Sequence, residues 1–377
     1  MAKSLKAALS VCFCAAIAAT GLTLLIRKPR LYSENENRYL QQRPKLSAAD
    51  IADGTWQNDI TDYMSDQMPF RDTWTAMQAK TQLLLGKKDI GGVYIGKEGH
   101  YFEKITDDDL SRLRYQSNLD AVAAAAKFEP TVPFSVMFVP SAGTIQTQYL
   151  PDHAELYDAE NLYALAQYTL QDSCTLVDCS EGLKAHKDEE IYYRTDHHWT
   201  TYGAWFGYQA FMESQGMTAK PFEQMNVHPI STSFYGTLYS KVLDADIIPD
   251  TVSLRYQPPQ CSVTIDGQEA ALYDMDALNA KDHYEVFFGG NFGEIRIQTQ
   301  SSGGKSLLIF KDSYANCFVP YLLDDYSTIT MIDLRYSDGS WKDRLLEQPD
   351  QVLFLYEISN FAQDANISAM AAALQTQ

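Results

Sequence analysis

Within the stretch EEIYYRTDHHWTTYGAW, residues 189–205, one aspartate and two adjacent histidines stand between tyrosines and a tryptophan. The chain holds seven histidines in 377 residues, so Asp196, His197 and His198 form its one dense Asp/His constellation. An imidazole changes charge near neutral pH and acts as a base when a carboxylate holds its tautomer. Its natural client is a serine hydroxyl, a weak nucleophile until a neighbouring base takes its proton. Ser313, in LLIFKDSYANCF, follows an apolar run and opens a predicted helix over 313–323. Open α/β sheets hold ligands beyond the carboxyl ends of their strands. Free N–H groups at a helix start favour a developing oxyanion.

From the residues alone, three readings stay open. Ser313 can be a helix N-cap. The D-H-H run can be a polar turn, or half of a metal site with His186, Glu189 or Glu190. That spacing matches no helix-face pattern such as H-E-x-x-H, so no metal and no cofactor is expected. The third reading is a triad in which His198 is the base for Ser313 and Asp196 orients it. His197 then orients Asp196, lines the pocket or packs. Trp199, Tyr192 and Tyr193 suit a wall for the apolar face of a sugar, although core packing is the commoner work of such residues. Arg335 and Tyr336, closing MIDLRYSD, are placed on the same rim, to bind an acyl oxygen or the acceptor.

The elements that must position these residues alternate. Apolar runs at 132–140, 306–310, 327–334 and 351–356, with CTLVDC at 174–179, read as strands. Helical patterns at 159–172, 181–187, 201–214 and in WKDRLLEQ separate them. All-apolar strands alternating with helices imply an α/β fold whose parallel sheet is covered on both faces. Residues 222–300 break the rhythm with Gly, Pro and short β-like runs, and read as a β-rich insertion or lid. Ahead of the sheet, GKKDIGGVYIGKEGHYFE suits a hairpin. Asp107–Asp109 open a helix with Leu110, Leu113, Leu119 and Val122 on one face. The expected organisation is residues 1–30, an extension over 31–105, and an α/β domain over 106–377 with its insertion at about 222–300.

The first thirty residues carry an uncharged apolar run from Ala7 to Ile26. Twenty helical residues span the roughly 30 Å hydrocarbon core of a bilayer. The run continues past the small-residue stretch AAIAA, which favours an uncleaved anchor over a signal peptide. Cationic residues flank it on both sides, so charge bias does not settle the topology. A net charge of −19 without a basic patch beyond residue 30 argues against nucleic acid. Cys174 and Cys179 bracket a strand about 16 Å long, far beyond the roughly 7 Å a disulfide tolerates. Buried thiols are the expected state.

YRTDHHWT resembles the signature of the bacterial DHHW-motif proteins, which are similar to the SGNH-hydrolase-like proteins that O-acetylate alginate and other exported polysaccharides. The likeness extends to SENENRYL, SDQMPFRD, GVYIGKEG, FFGGNFG and KDSYANCFVPYL. It implies an SGNH-like fold in which a D-x-H-W motif supplies acid and base and a later strand–helix turn supplies the serine. That carries over to Asp196, His198 and Ser313, with Trp199 beside the histidine. Ordinary SGNH hydrolases have the serine first, so this order is circularly permuted, and KDSY replaces G-D-S. By the same resemblance Asn360 stands where an oxyanion asparagine is expected. GGN at 289–291 matches such a block in letters, yet its place in the insertion suggests a turn. The implied activity is extracytoplasmic O-acetyl transfer to a polysaccharide through a Ser-His-Asp acyl-enzyme. The acetyl donor would come from a multi-spanning membrane acyltransferase, with the protein held to the membrane by its N-terminal helix. A carbohydrate esterase and a non-catalytic glycan-binding or assembly subunit are the alternatives.

Overall fold

Strands that are apolar at nearly every position must be covered on both sides. The computed structural model, which describes residues 2–375 apart from Glu34, Asn37, Ala245, Ser302 and Gly303, shows how this is done. In chain order the main sheet takes Phe134–Val139 (β1), Thr175–Val177 (β2), Cys261–Ile265 (β3), Gln268–Ala270 (β4), Glu294–Thr299 (β5), Ser306–Lys311 (β6), Thr328–Ile332 (β7) and Gln351–Glu357 (β8). Their spatial order is β4-β3-β5-β7-β6-β8-β1-β2. The run β7-β6-β8-β1-β2 is parallel, and β5, β3 and β4 continue it antiparallel. This is the α/β sheet expected from the sequence.

Side chains of a strand alternate between faces, and here each set has its own cover. Leu307, Ile309, Met331, Leu353 and Leu355 pack with Trp199, Tyr208 and Phe211. Leu308, Phe310, Ile332, Val352 and Phe354 pack with Leu119, Val122 and Phe361 on the other side. The helix Thr201–Ser214 covers the first face, and Arg112–Phe128 the second. Leu113 is a correction: it is 84% exposed, because the helix starts at Arg112 after a separate 3₁₀ turn at Asp107–Asp109.

The insertion is not a lid. Its segment Cys261–Thr299 adds β3, β4 and β5 to the sheet, where β5 pairs directly with β7, and Val227–Phe234 pairs with Asp250–Arg255 as a separate ribbon. Backbone pairing, rather than a hinged cover, is what β-rich spacing produced here.

Strand β6 passes to β7 on one side, and the chain then returns to β8 on β6's other side. Such a divergence opens a crevice at the carboxyl end of the strand. Ser313 lies two residues past the end of β6.

The chain divides into two compact units: one runs to Lys87 and takes in Ser240–Asp246, and the other holds the remainder. Strands Asp89–Ile90, Val93–Ile95 and Tyr101–Glu103, a three-stranded meander where the sequence suggested a hairpin, fall in the second unit. In the first unit, Ser4–Ile26 is the one helix among the described residues long and apolar enough to cross a membrane. SENENRYL and SDQMPFRD are tied together there: Arg38 holds Asp66 at 2.6 Å and Arg71 holds Glu36 at 2.7 Å. These charges are structural.

Among the described residues all six cysteines are free thiols, of which Cys179 and Cys317 are buried.

Candidate active site

The DHHW stretch is a loop, fastened before it reaches the site. Thr200 caps the Thr201–Ser214 helix through Gly203 N–H, and Tyr192 and Trp199 form an antiparallel bridge across the loop's base. Asp250 accepts the N–H groups of Arg194 and Thr195, both at 2.8 Å. Adding a Cβ at Gly203 would bring it 2.0 Å from the Ile191 carbonyl oxygen, so only glycine fits that crossing.

The loop delivers His198 between two partners. His198 Nδ1 lies 2.6 Å from Asp196 Oδ1, and Nε2 lies 2.7 Å from Ser313 Oγ. Asp196 is 1% exposed, His198 6% and Ser313 8%. Both Asp196 oxygens are occupied: Oδ1 also accepts the His198 N–H at 3.0 Å, and Oδ2 accepts the N–H and hydroxyl of Thr237 at 2.8 and 2.9 Å. With the carboxylate an acceptor, Nδ1 carries the hydrogen and Nε2 is left to accept from Ser313. The ring of Tyr284 stacks on His198 at 3.9 Å and 11°, and its hydroxyl donates to the Ser313 carbonyl at 2.9 Å.

The electrostatics suit a base. Burial opposes the Asp196 charge, but the His197 and His198 charges and the hydrogen bonds hold its carboxyl well below the usual range. Burial first, then the His197 charge, push His198 down to about 4 against the pull of Asp196. His198 is therefore neutral at pH 7 and able to take a proton.

The turn that carries Ser313 is braced by buried polar groups. Asp312 Oδ1 accepts the Tyr314 N–H at 2.9 Å, and Oδ2 accepts the Glu357 N–H and Asn360 Nδ2, both at 2.9 Å. Glu357 is buried, accepts from Ser359 and Tyr157, and is pushed up to about 7 by burial. Lys311 is fully buried: its Nζ donates to Asn291 Oδ1 at 2.7 Å and Asn316 Oδ1 at 2.9 Å, and lies 3.7 Å from Asp333. Burial pushes its ammonium down to about 8, against the pull of Asp333.

Several expectations are corrected by these contacts. The helix after Ser313 is a single α-turn, Ala315–Phe318, followed by 3₁₀ backbone, so no long helix start faces the serine. Asn360 braces Asp312 from behind, which makes it a support for the turn and not an oxyanion donor. Trp199 is fully buried with its indole N–H on the Tyr314 carbonyl at 2.9 Å, and Tyr192 and Tyr193 are 2% exposed. A sugar cannot stack on rings with no open face, so these three pack the loop. His197 Nδ1 donates to Thr237 Oγ1 (2.7 Å), whose hydroxyl hydrogen goes to Asp196; its side chain stays 22% open, and its carbonyl accepts the Tyr314 hydroxyl. Arg335 is held by Asp333 through two bonds of 2.8 and 2.6 Å, with the exposed Tyr336 beside it.

Three contributors, Gly236, Thr237 and Tyr284, escaped the sequence reading, and a fourth, Asn291, was read as part of a turn; all lie in the insertion. A Cβ at Gly236 would fall 2.2 Å from Asp196 Cβ, so this glycine makes room for the carboxylate. The GGN block is more than a turn, because Asn291 reaches Lys311 and Asn316 on either side of Ser313. Among the described residues, neither the Ser313 backbone N–H nor Asn291 Nδ2 has an acceptor.

Asp196, His197 and His198 also bring three donor atoms within 4.8 Å of one another, a spacing open to a metal ion. In the observed arrangement both His198 nitrogens are already engaged, by Asp196 and Ser313. His186, a candidate fourth ligand, bonds the Gly182 carbonyl and stacks on Phe206.

Ser313 thus lies just past the carboxyl end of a central strand of a mainly parallel α/β sheet, with Asp196 and His198 ahead of it in the chain. The family model of the DHHW protein matches residues 162–332, so the resemblance seen in YRTDHHWT holds over that span. A DHHW family protein from Eubacterium siraeum has a similar crystal structure, with 23% identity and TM-score 0.63, covering 76% of this chain and 96% of its own. Bacillus cereus PatB1 with a sulfonyl adduct is 17% identical with TM-score 0.61, covering 74% of this chain and 99% of its own. A second Bacillus cereus PatB1 structure gives 20% and 0.58, covering 71% of this chain and 96% of its own. No curated protein sequence matches the chain.

Proposed function

We propose that the protein is an O-acyltransferase that carries an acetyl group on Ser313 and passes it to a hydroxyl of a cell-surface or exported polysaccharide. The observation that supports it is the continuous chain from Asp196 through His198 to Ser313 Oγ, at 2.6 and 2.7 Å. In this reading His198 Nε2 takes the Ser313 proton as Oγ bonds to the acyl carbon. The oxyanion rests on the Ser313 N–H and Asn291 Nδ2. The leaving group departs with the proton from His198. A sugar hydroxyl then gives its proton to His198 and attacks the acyl carbon, and Ser313 recovers its own. Asp196 fixes the imidazole throughout and stabilises its charged form.

The choice of acetyl and polysaccharide rests on the DHHW resemblance. The N-terminal helix fits a single-pass anchor with the large domain outside the cytoplasm, beside a multi-spanning membrane acyltransferase that supplies the acetyl group. Arg335 and the exposed Tyr336 are proposed acceptor contacts, and His197 lines the entrance.

The test is the intact mass of the full-length protein in detergent after exposure to 4-nitrophenyl acetate, with Ser313→Ala alongside. One acetyl on Ser313, absent from the variant, is expected. A sulfonyl fluoride serves as a second probe, since such reagents esterify activated hydroxyls. Equal labelling of both proteins would overturn the reading. Transfer of the bound acetyl to added oligosaccharide, rather than to water, separates transferase from carbohydrate esterase. Absence of both adduct and ester turnover would leave a glycan-binding or assembly subunit.

A further inference from the structure

One buried charge has no part in the proton chain. Lys311 sits two residues before Ser313 with its side chain fully enclosed, and a buried cation is retained at a cost unless its contacts matter. Its partners are two asparagine oxygens, Asn291 Oδ1 at 2.7 Å and Asn316 Oδ1 at 2.9 Å. Asn316 Nδ2 in turn donates to Asn291 Oδ1 at 3.2 Å and to the Gly290 carbonyl at 3.4 Å. An ammonium has donors only, so the amide atom facing it must be oxygen. One ammonium thereby sets the flip of two amides. For Asn291 the consequence is that both donors converge on Oδ1, and Nδ2 is turned away with no acceptor among the described residues. With Asp333 3.7 Å from its Nζ, the ammonium stays charged at neutral pH although burial draws it down to about 8.

We propose that Lys311 is a positioning residue: by donating to Asn291 Oδ1 it holds the Asn291 amide with Nδ2 presented to the oxyanion at Ser313. This rests on the acyl-enzyme reading above. Lys311 touches neither substrate nor the reacting atoms, and acts only through Asn291.

The experiment is a double-mutant cycle on the rate of Ser313 acetylation by 4-nitrophenyl acetate, in the full-length protein. Removing one oxyanion donor typically lowers the rate about 10²–10³-fold. Asn291→Ala is expected to lower the limiting rate constant about 10²-fold, with the half-saturating ester concentration changed less than about twofold. Lys311→Met is expected to lower it about tenfold or more, and Lys311→Gln, which restores an N–H donor, to recover part of that loss. The double variant Lys311→Met/Asn291→Ala should be no slower than Asn291→Ala alone, since both act on one contact. Multiplying losses, or wild-type acetylation in Lys311→Met, would overturn the proposal. If Lys311→Met does not fold, Asn316→Ala removes the second donor to Asn291 Oδ1, and the same non-multiplying cycle is required of it. Should Ser313→Ala label as wild type does, the acyl-enzyme reading itself fails. Should Ser313 label normally while Asn291→Ala and Lys311→Met match wild type, the acyl-enzyme reading stands and the roles of Asn291 and Lys311 fail.

Discussion

Two arms of the molecule meet at the His198–Ser313 contact, and they are built differently. The DHHW arm is local: Asp196 and His198 are two residues apart, and one loop sets their hydrogen bond. The nucleophile arm is assembled from distant pieces. Asp312 takes its bonds from Tyr314, Glu357 and Asn360, and Lys311 takes its own from Asn291 and Asn316. The buried carboxyls differ in the same way. Asp196 lies beside two imidazoles and is held low, whereas Glu357 accepts from the neutral donors Tyr157, Ser359 and Asn360 N–H and is pushed up to about 7 by burial. The lesson is that the Asp196–His198 arm is specified by residue type and the Ser313 arm by tertiary placement.

The comparison breaks hardest at Asp196. Asp196→Asn keeps the shape but offers the wrong hydrogen-bonding group to Nδ1, and acetylation of Ser313 should fall about 10³–10⁴-fold with little change in melting temperature. A loss under tenfold would show that the carboxylate does not set the tautomer. Next is Gly236→Ala, where the new methyl would lie 2.2 Å from Asp196 Cβ and 2.5 Å from Oδ2. Overpacking of this kind costs about 1–3 kcal/mol, and displacing the carboxylate should slow acetylation about 10²-fold. Unchanged kinetics would mean the loop yields without moving Asp196.

A smaller effect sharpens the contrast in pH. Only neutral His198 accepts the serine proton, and burial disfavours its charged form. The acetylation rate should therefore rise with pH through a midpoint between about 4 and 6.5, and then stay level above it to neutral pH. A midpoint above 6.5 would place the Asp196 attraction ahead of burial. The smallest effect belongs to Glu357. Its folded pKa lies above its unfolded 4.5, so its favourable share of stability is complete below 4.5 and is lost as pH rises through about 7. Across that window wild type should lose roughly 1–3 kcal/mol relative to Glu357→Gln, read as diverging melting temperatures. Parallel curves would indicate that Glu357 titrates normally.

What was legible in the sequence follows the same division. All-apolar strands between helices identified the parallel sheet, because covering both faces leaves no polar position. Asp196, His198 and Ser313 were legible because few residue types do this chemistry and two of the three share one loop. Trp199 was left between a sugar wall and a core because an aromatic beside a histidine has the same letters in either role, and the structure buries it. Asn360 and Asn291 were hard to tell apart for a similar reason. One stands where the resemblance expects an oxyanion asparagine and the other matches such a block in letters. Their contacts, with Asp312 and with Lys311, appear only in the folded chain.

The sequence by itself determined the sheet, the reactive groups and the order in which they appear, since these depend on residue type and short-range periodicity. The tertiary structure decided which insertion residues close the site. Gly236, Thr237, Tyr284 and Asn291 reach Asp196, Ser313 and Lys311 across 20 to 41 residues, with no periodic or spacing signal to announce them. Contacts of that kind depend on how β3, β4 and β5 pair onto the sheet, and strand pairing is a property of the folded chain.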